Sequence, residues 1–267
     1  LVRRPAVAPD EVSWDPIAGT VDLEGLAGID AVVHMAGAGV GDRRWTDSYK
    51  KTILDSRVDG THTIVRAMTQ LDPKPRTLVA GSAIGWYGET GDRAVDETAP
   101  AGTGFLADVV RAWEAAADPA REAGIRVTHA RTGLVVSGAG GAWARLFPIF
   151  KLGLGGKLGS GRQYWSWISL RDEISALMYL LDNESLSGPV NLTGPAPATN
   201  SEVTEAMGRV LHRPTLFSVP AFALKTVLGE FSIEVLGSAR VLPAVLEDTG
   251  FTWQDATVES AIRAALD

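Results

Sequence analysis

Apolar positions along the chain alternate between two spacings. DAVVHMAG, residues 30 to 37, is a short continuous apolar run ending in small residues, the pattern of a buried parallel strand entering a loop. YKKTILDSRVDGTHTIVRAMTQL then sets Ile53, Val58, Ile64, Val65, Met68 and Leu71 at mainly helical intervals. PRTLVAGSAIGWYGE repeats the strand-and-loop pattern. FLADVVRAWEAAA follows, with Phe105, Leu106, Val109, Val110 and Trp113 as a helical stripe and Asp108, Arg111 and Glu114 expected on other faces. GIRVTHARTGLVV reads as the next strand and its exit. This alternation predicts βαβ units and a parallel sheet, with ligands collecting at the strand ends near 36–39, 80–88 and 131–138. The plainer reading of those loops is that their glycines only make tight turns.

Beyond residue 140 the pattern changes. A short apolar helix leads into the glycine- and tryptophan-rich FKLGLGGKLGSGRQYWSWIS. Helical segments EISALMYLLDNESLSG and SEVTEAMGRVLHR follow, the second with Ser201 as its expected cap, and PVNLTGP lies between them as a short strand. The predicted organisation is an α/β core over residues 1–165 and a smaller, mostly helical lobe over 166–267, with some segments crossing between them. No repeat is evident.

Composition narrows the function classes. The formal charge of −7 argues against a general nucleic-acid surface and points to small-molecule partners. With no cysteine, there is no disulfide framework, thiol nucleophile or thiolate metal site, and a reducing, cytoplasmic setting fits. The four histidines, at 34, 62, 129 and 212, have no ligand spacing, so no metal site is expected. No apolar run is long enough to span a membrane. LVRRPAVAPDE is not a secretion signal; it begins as though at the end of a strand, the expectation for a piece of a longer protein.

Chemistry-bearing residues are few. Arg3 and Arg4 follow an apolar pair and would suit an adenosine 2′-phosphate if that pair ends a strand; a solvated pair is the alternative. Ser82, at a strand end, would orient a reacting oxygen, and nearby Tyr87 would donate a proton; otherwise Ser82 bonds locally and Tyr87 packs. GSAIG lacks the spacing of a nucleophile elbow. In GRQYWSWIS, Arg162 suits a phosphate or carboxylate, Gln163 a hydroxyl or carbonyl, and Tyr164, Trp165 and Trp167 an apolar or sugar surface. The same segment would serve as an aromatic hinge between lobes. Asp96, Glu97, Asp108 and Glu114 are expected to solvate faces or cap helices, and His34 and His129 to sit in the core.

Taken together, DAVVHMAGAGVGDRRW, KKTILDSRVDGT, GSAIGWYGETGD, FLADVVRAWEAAA, RTGLVVSGAGGA, FKLGLGGKLGSGRQYWSWIS, GPVNLTGP and LHRPTLFSVPAFALKTVLGE resemble, in order, the atypical extended short-chain dehydrogenase/reductases of the nucleoside-diphosphate-sugar epimerase-like kind. The resemblance implies a Rossmann-like, doubly wound parallel sheet, here without its first βα unit and phosphate loop, and a small C-terminal domain. It implies a nicotinamide cofactor, NADP favoured by Arg3 and Arg4 with NAD as the alternative. Ala36 and Gly37 would border the dinucleotide, Arg57 would lie nearby, Ser82 would face the nicotinamide side, and Asp15 in VSWDP would contact adenine. The expected partners are a small-molecule substrate and, in a homodimer, a second copy of the chain. The family's YxxxK proton-transfer pair is absent: Phe105 or Leu106 stands for the tyrosine and Val109 or Val110 for the lysine. The implied activity is an NADP-dependent oxidoreductase or epimerase-like reaction on a polar, sugar-related small molecule. The missing pair keeps open a non-catalytic dinucleotide-binding or regulatory protein.

Overall fold

The computed structural model describes residues 1–266. Its centre is a four-stranded, all-parallel sheet. In chain order the elements that matter are β1 (Ala31–His34), α1 (Asp47–Gln70), β2 (Thr77–Ala83), α2 (Phe105–Ala115), β3 (Arg126–Thr132), β4 (Leu134–Val136), α3 (Gly141–Lys151), β5 (Trp167–Ser169), α4 (Leu170–Asp182), β6 (Gly188–Leu192), α5 (Asn200–Leu211), α6 (Ala221–Leu228) and α7 (Val258–Ala264). The sheet order is β6-β3-β2-β1.

Helices cover both faces, as a doubly wound sheet requires. Side chains alternate along each strand, so Leu78, Ala80 and Val127 face Ile64, Val65 and Met68 of α1. Val79, Ala130, Val190 and Leu192 face the other way, onto Ala176 and Leu180 of α4. The helical spacing read around residues 47–70 matches α1, whose first turn is capped by the Thr46 side chain accepting from Tyr49 N.

A second core lies beside the sheet. Trp143, Phe147 and Phe150 of α3 pack with Trp165, Trp167, Val203 and Met207 of α5, and Ile262 of α7. The chain passes between the two cores: β4 pairs with β5, and β6 returns to the central sheet after residue 166. Ser201 is not the cap of α5. Thr199 holds that place in a reciprocal pair with Glu202, whose carboxylate reaches back to the Thr199 N–H, and Ser201 lies inside the first turn. Among the described residues, no helix is long and apolar enough to cross a membrane, and no group of side chains is arranged to hold a metal.

Candidate functional site

Register places three polar side chains in one row at the carboxyl end of the sheet. Ser82 of β2 is the partner of Arg131 of β3, and Arg131 is the partner of Asn191 of β6. All three are nearly sealed from solvent, at 3%, 2% and 0% exposure, so each needs partners inside the protein. Glu114 of α2 supplies two of them: it accepts from Ser82 Oγ at 2.6 Å and from Arg131 Nε and Nη2 at 2.8 and 3.0 Å. Arg131 Nη1 donates to the Tyr87 phenol at 3.1 Å, and that phenol donates to Asn191 Oδ1 at 2.7 Å. Asn191 Nδ2 donates to Leu242 O, and its backbone N–H to Glu97. The Arg131 guanidinium also lies 4.0 Å from the centre of the Trp86 ring.

The row explains two departures from the sequence reading. Glu114 follows Val110 by four positions, which turns it onto the buried face of α2 and not toward solvent. Glu97 is half-buried and accepts the backbone N–H groups of Asn191 and Val245, joining β6 to the C-terminal segment. Burial raises its pKa. Arg131 and Asn191 were not singled out in the sequence, although a charge inside an apolar strand run signals a buried partner.

Tyr87 and Ser82 therefore both give their hydrogens to protein acceptors. Burial pushes the Tyr87 phenol up to about 12, despite the neighbouring Arg131 charge. Of the residues expected at the place of the proton-transfer pair, Phe105 or Leu106 and Val109 or Val110, Leu106 and Val110 stand against Gly85: a Cβ there would lie 3.4 Å from Leu106 Cβ and 3.7 Å from Val110 Cγ2. Phe105 packs edge-on with Trp45, ring centres 4.9 Å apart.

On the opposite face, in the row of Ala83 and Leu192, Thr132 donates to Glu173 Oε1 at 2.8 Å. Glu173 is 5% exposed and its other oxygen has no partner; burial pushes the carboxyl up to about 7. His34 and His129 are buried, and burial lowers both, His34 to about 4.

The expected cofactor residues divide. Ala36 and Gly37 are exposed in the loop after β1. Arg57 of α1 lies beneath them: its Nη1 donates to Ala38 O at 2.9 Å, its guanidinium is 5.0 Å from the Trp113 ring, and a Cβ at Gly37 would meet it at 3.2 Å. Burial lowers the Arg57 pKa. These three residues are brought together. Arg4 instead forms a surface pair with Glu11, through bonds of 2.8 and 2.5 Å that hold the Glu11 carboxyl down at about 2. Arg3 is exposed. Asp15 caps the turn at Ile17 and Ala18.

Of the expected substrate residues, Arg162 is exposed and Gln163 and Trp165 are buried. Gln163 Nε2 donates to Leu158 O at 2.9 Å, and Trp165 packs edge-on with Trp143.

Known proteins share this architecture. The family model described as "NAD dependent epimerase/dehydratase family" matches residues 20–192, and a "Domain of unknown function" model (DUF1731) matches residues 219–265. An epimerase family protein of Mycobacterium leprae is 45% identical over 266 residues, 99% of this chain and 86% of that one. The crystal structure of human epimerase family protein SDR39U1 with NADPH superposes with a TM-score of 0.85 at 28% identity, over 92% of this chain and 86% of that one. A nucleoside-diphosphate sugar epimerase of Corynebacterium glutamicum gives 0.76 at 32% identity, over 95% of this chain but 49% of that one.

Proposed function

Because the chain belongs to the NAD dependent epimerase/dehydratase family, we propose that it is an NADP(H)-dependent oxidoreductase or epimerase-like protein acting on a polar small molecule. The observation that carries this reading is the exposed, small-residue loop Ala36–Gly37 at the carboxyl end of β1, braced from below by Arg57. Small side chains there leave the backbone open to close approach, and the crevice outside strand ends is where such sheets take dinucleotides. The human relative was solved with NADPH, and other solved relatives with NAD, which supports NADP with NAD as the alternative.

Ala36, Gly37 and Arg57 would be the residues that serve a dinucleotide at the carboxyl end of β1. Gly37 and Ala36 would border it, and Arg57 would hold their loop in place through Ala38 O. When bound, a nicotinamide supplies hydride transfer. The protein's own part is positioning. Glu114 and Arg131 fix Ser82 and Tyr87 as a rigid floor, and Arg162 is free to meet an anionic group of a substrate. Leu106 and Val110 offer no proton, and the Tyr87 hydroxyl already donates to Asn191, so the proton of a redox step has no tyrosine–lysine pair to manage it here.

A second reading, a dinucleotide-binding protein without turnover, is favoured by the apolar pair at Leu106 and Val110. Nicotinamide absorbance, followed in full-length protein against a panel of polar carbonyl and sugar-nucleotide substrates, separates the two. A substrate-dependent change supports the first; cofactor binding with no change across the panel supports the second.

A further inference from the structure

The segment between Val219 and Gly237 is held differently from its ends. Before it, Phe217–Val219 is a strand in parallel register with Gly156–Leu158. After it, Ser238 is tied into the turn that follows β2: its N–H donates to Glu89, its hydroxyl to Gly91 O, and its carbonyl accepts from Thr90 N. Between these anchors, α6, the turn Gly229–Phe231 and the short helix Ser232–Leu236 bury one residue, Ser232. No residue of α6 is buried, although its sequence AFALKTVL is largely apolar; Phe222, Val227 and Ile233 stay 73%, 71% and 61% exposed. Ala221, Ala223, Leu224 and Leu228 are only half-buried, a shallower seat than that of a helix docked with its apolar face fully hidden.

What the segment does touch is the loop leaving β1. Arg44 Nη2 donates to Thr226 O at 2.8 Å, at the carbonyl end of α6. Lys50 pairs with Glu230. Phe231 packs on Trp45, ring centres 5.6 Å apart, and reaches to within 3.2 Å of where a Gly41 Cβ would be. Trp45 in turn sits on Phe105, the residue that opens α2 beside Leu106. The segment thus spans the carboxyl edge of the sheet from the loop after β1 to the turn after β2. Its seat on the core includes one aromatic contact, one ion pair and one arginine on two carbonyls, with Ala221 and Leu236, at its two ends, lying beside Gly159. Gly229, in left-handed backbone at φ 62°, breaks it in the middle.

We propose that residues 221–236 are a lid over the carboxyl-edge crevice, shown here closed, which lifts from the loop 39–50 as a unit while its two anchors stay in place. Trp45 is the latch, seated between Phe231 of the lid and Phe105 of the sheet domain. The inference concerns opening in the free protein and stands whether or not the crevice takes NADP.

Amide hydrogen exchange on the full-length protein without ligand tests it. The expected result is that 221–236 exchanges faster than α5 and the central strands. Phe231→Ala should speed exchange in 221–236 and 39–50 by roughly two- to tenfold, the factor for losing one edge-on aromatic contact, with the strands unchanged. Lys50→Met, which removes the Glu230 pair and the ammonium over the Phe105 ring but keeps the Phe231–Trp45 contact, should act in the same direction by a smaller factor and keeps the test decisive if Phe231→Ala fails to fold. Protection of 221–236 equal to that of α5, or a rate that Lys50→Met leaves unchanged or alters equally everywhere, would overturn the lid.

Discussion

Glu114 and Arg131 face each other across the α2–sheet interface in a two-pronged ion pair, at 2.8 and 3.0 Å, with both side chains at most 10% exposed. Two neighbouring hydroxyls bond directly to this pair. Ser82 donates to its carboxylate and Tyr87 accepts from its guanidinium. Removing one partner strands the other charge in the core. Arg131→Met is therefore expected to lower stability by about 3–5 kcal/mol in urea unfolding, and Glu114→Gln by a comparable amount. The double variant should lose clearly less than the sum, since it leaves no orphaned charge. Additive losses would show that the two do not act as a pair.

Tyr87→Phe separates a structural phenol from a catalytic one. The hydroxyl is bonded to Asn191 and Arg131, so its loss should cost about 1–3 kcal/mol. A phenol at about 12 stays protonated through the neutral range. In a spectrophotometric titration of the folded protein, Tyr87→Phe should remove an ionisation at about pH 12. If turnover is found, Tyr87→Phe should retain it with an unshifted pH profile between pH 6 and 9. Loss of turnover by about a hundredfold or more, the range of a general acid, would make Tyr87 the proton donor after all.

Glu173 and His34 give stability opposite slopes with pH. The Glu173 carboxyl has its folded pKa raised, from 4.5 to about 7, so the folded state holds the extra proton. Its contribution is complete below 4.5 and is lost as pH rises to about 7. His34 is depressed from 6.5 to about 4, so its contribution is complete above 6.5 and is lost as pH falls to about 4. Glu173→Gln should remove the first slope and stabilise the protein at pH 8 by roughly 2–3 kcal/mol relative to wild type. Parallel unfolding curves at pH 5 and pH 8 check it: an unchanged slope would mean that Glu173 is ionised and solvated in the folded protein.

Gly102→Ala should be poorly tolerated. A Cβ there would run into the Tyr87 carbonyl oxygen, and Gly102 N donates to Trp86 O at 2.8 Å. The loop must move away from the residues it braces, at a cost of about 1–3 kcal/mol, read as a fall in Tm. An unchanged Tm would mean that the loop is free to shift.

These residues also mark where sequence legibility ends. Local periodicity is a property of neighbours, so the apolar runs of β1, β2 and β3 and the spacing of Ile53, Ile64 and Met68 announced the sheet and α1. The row Ser82–Arg131–Asn191 is a product of register between strands some fifty residues apart. No local pattern specifies that register. Glu114 was legible in principle, four residues after Val110 on the apolar face, but its meaning depends on Arg131, which only the folded sheet brings opposite. Gln163 and Trp165 carry the chemistry of a binding wall, and the structure puts that chemistry into the C-terminal core. The small-residue loop at Ala36–Gly37 joins Arg57, while Arg4 of the N-terminal arginine pair is held on Glu11.

The central claim is that a site with only apolar residues at the expected proton-transfer places, Phe105 or Leu106 and Val109 or Val110, still takes the dinucleotide. Its most direct test is calorimetric titration of the full-length protein with NADPH and with NADH, side by side with Arg57→Ala. Saturable binding is expected at one site per chain, tighter for NADPH than for NADH, and weakened by Arg57→Ala as the Ala36–Gly37 loop loses its brace. Absence of binding by either nucleotide to correctly folded wild-type protein would contradict it.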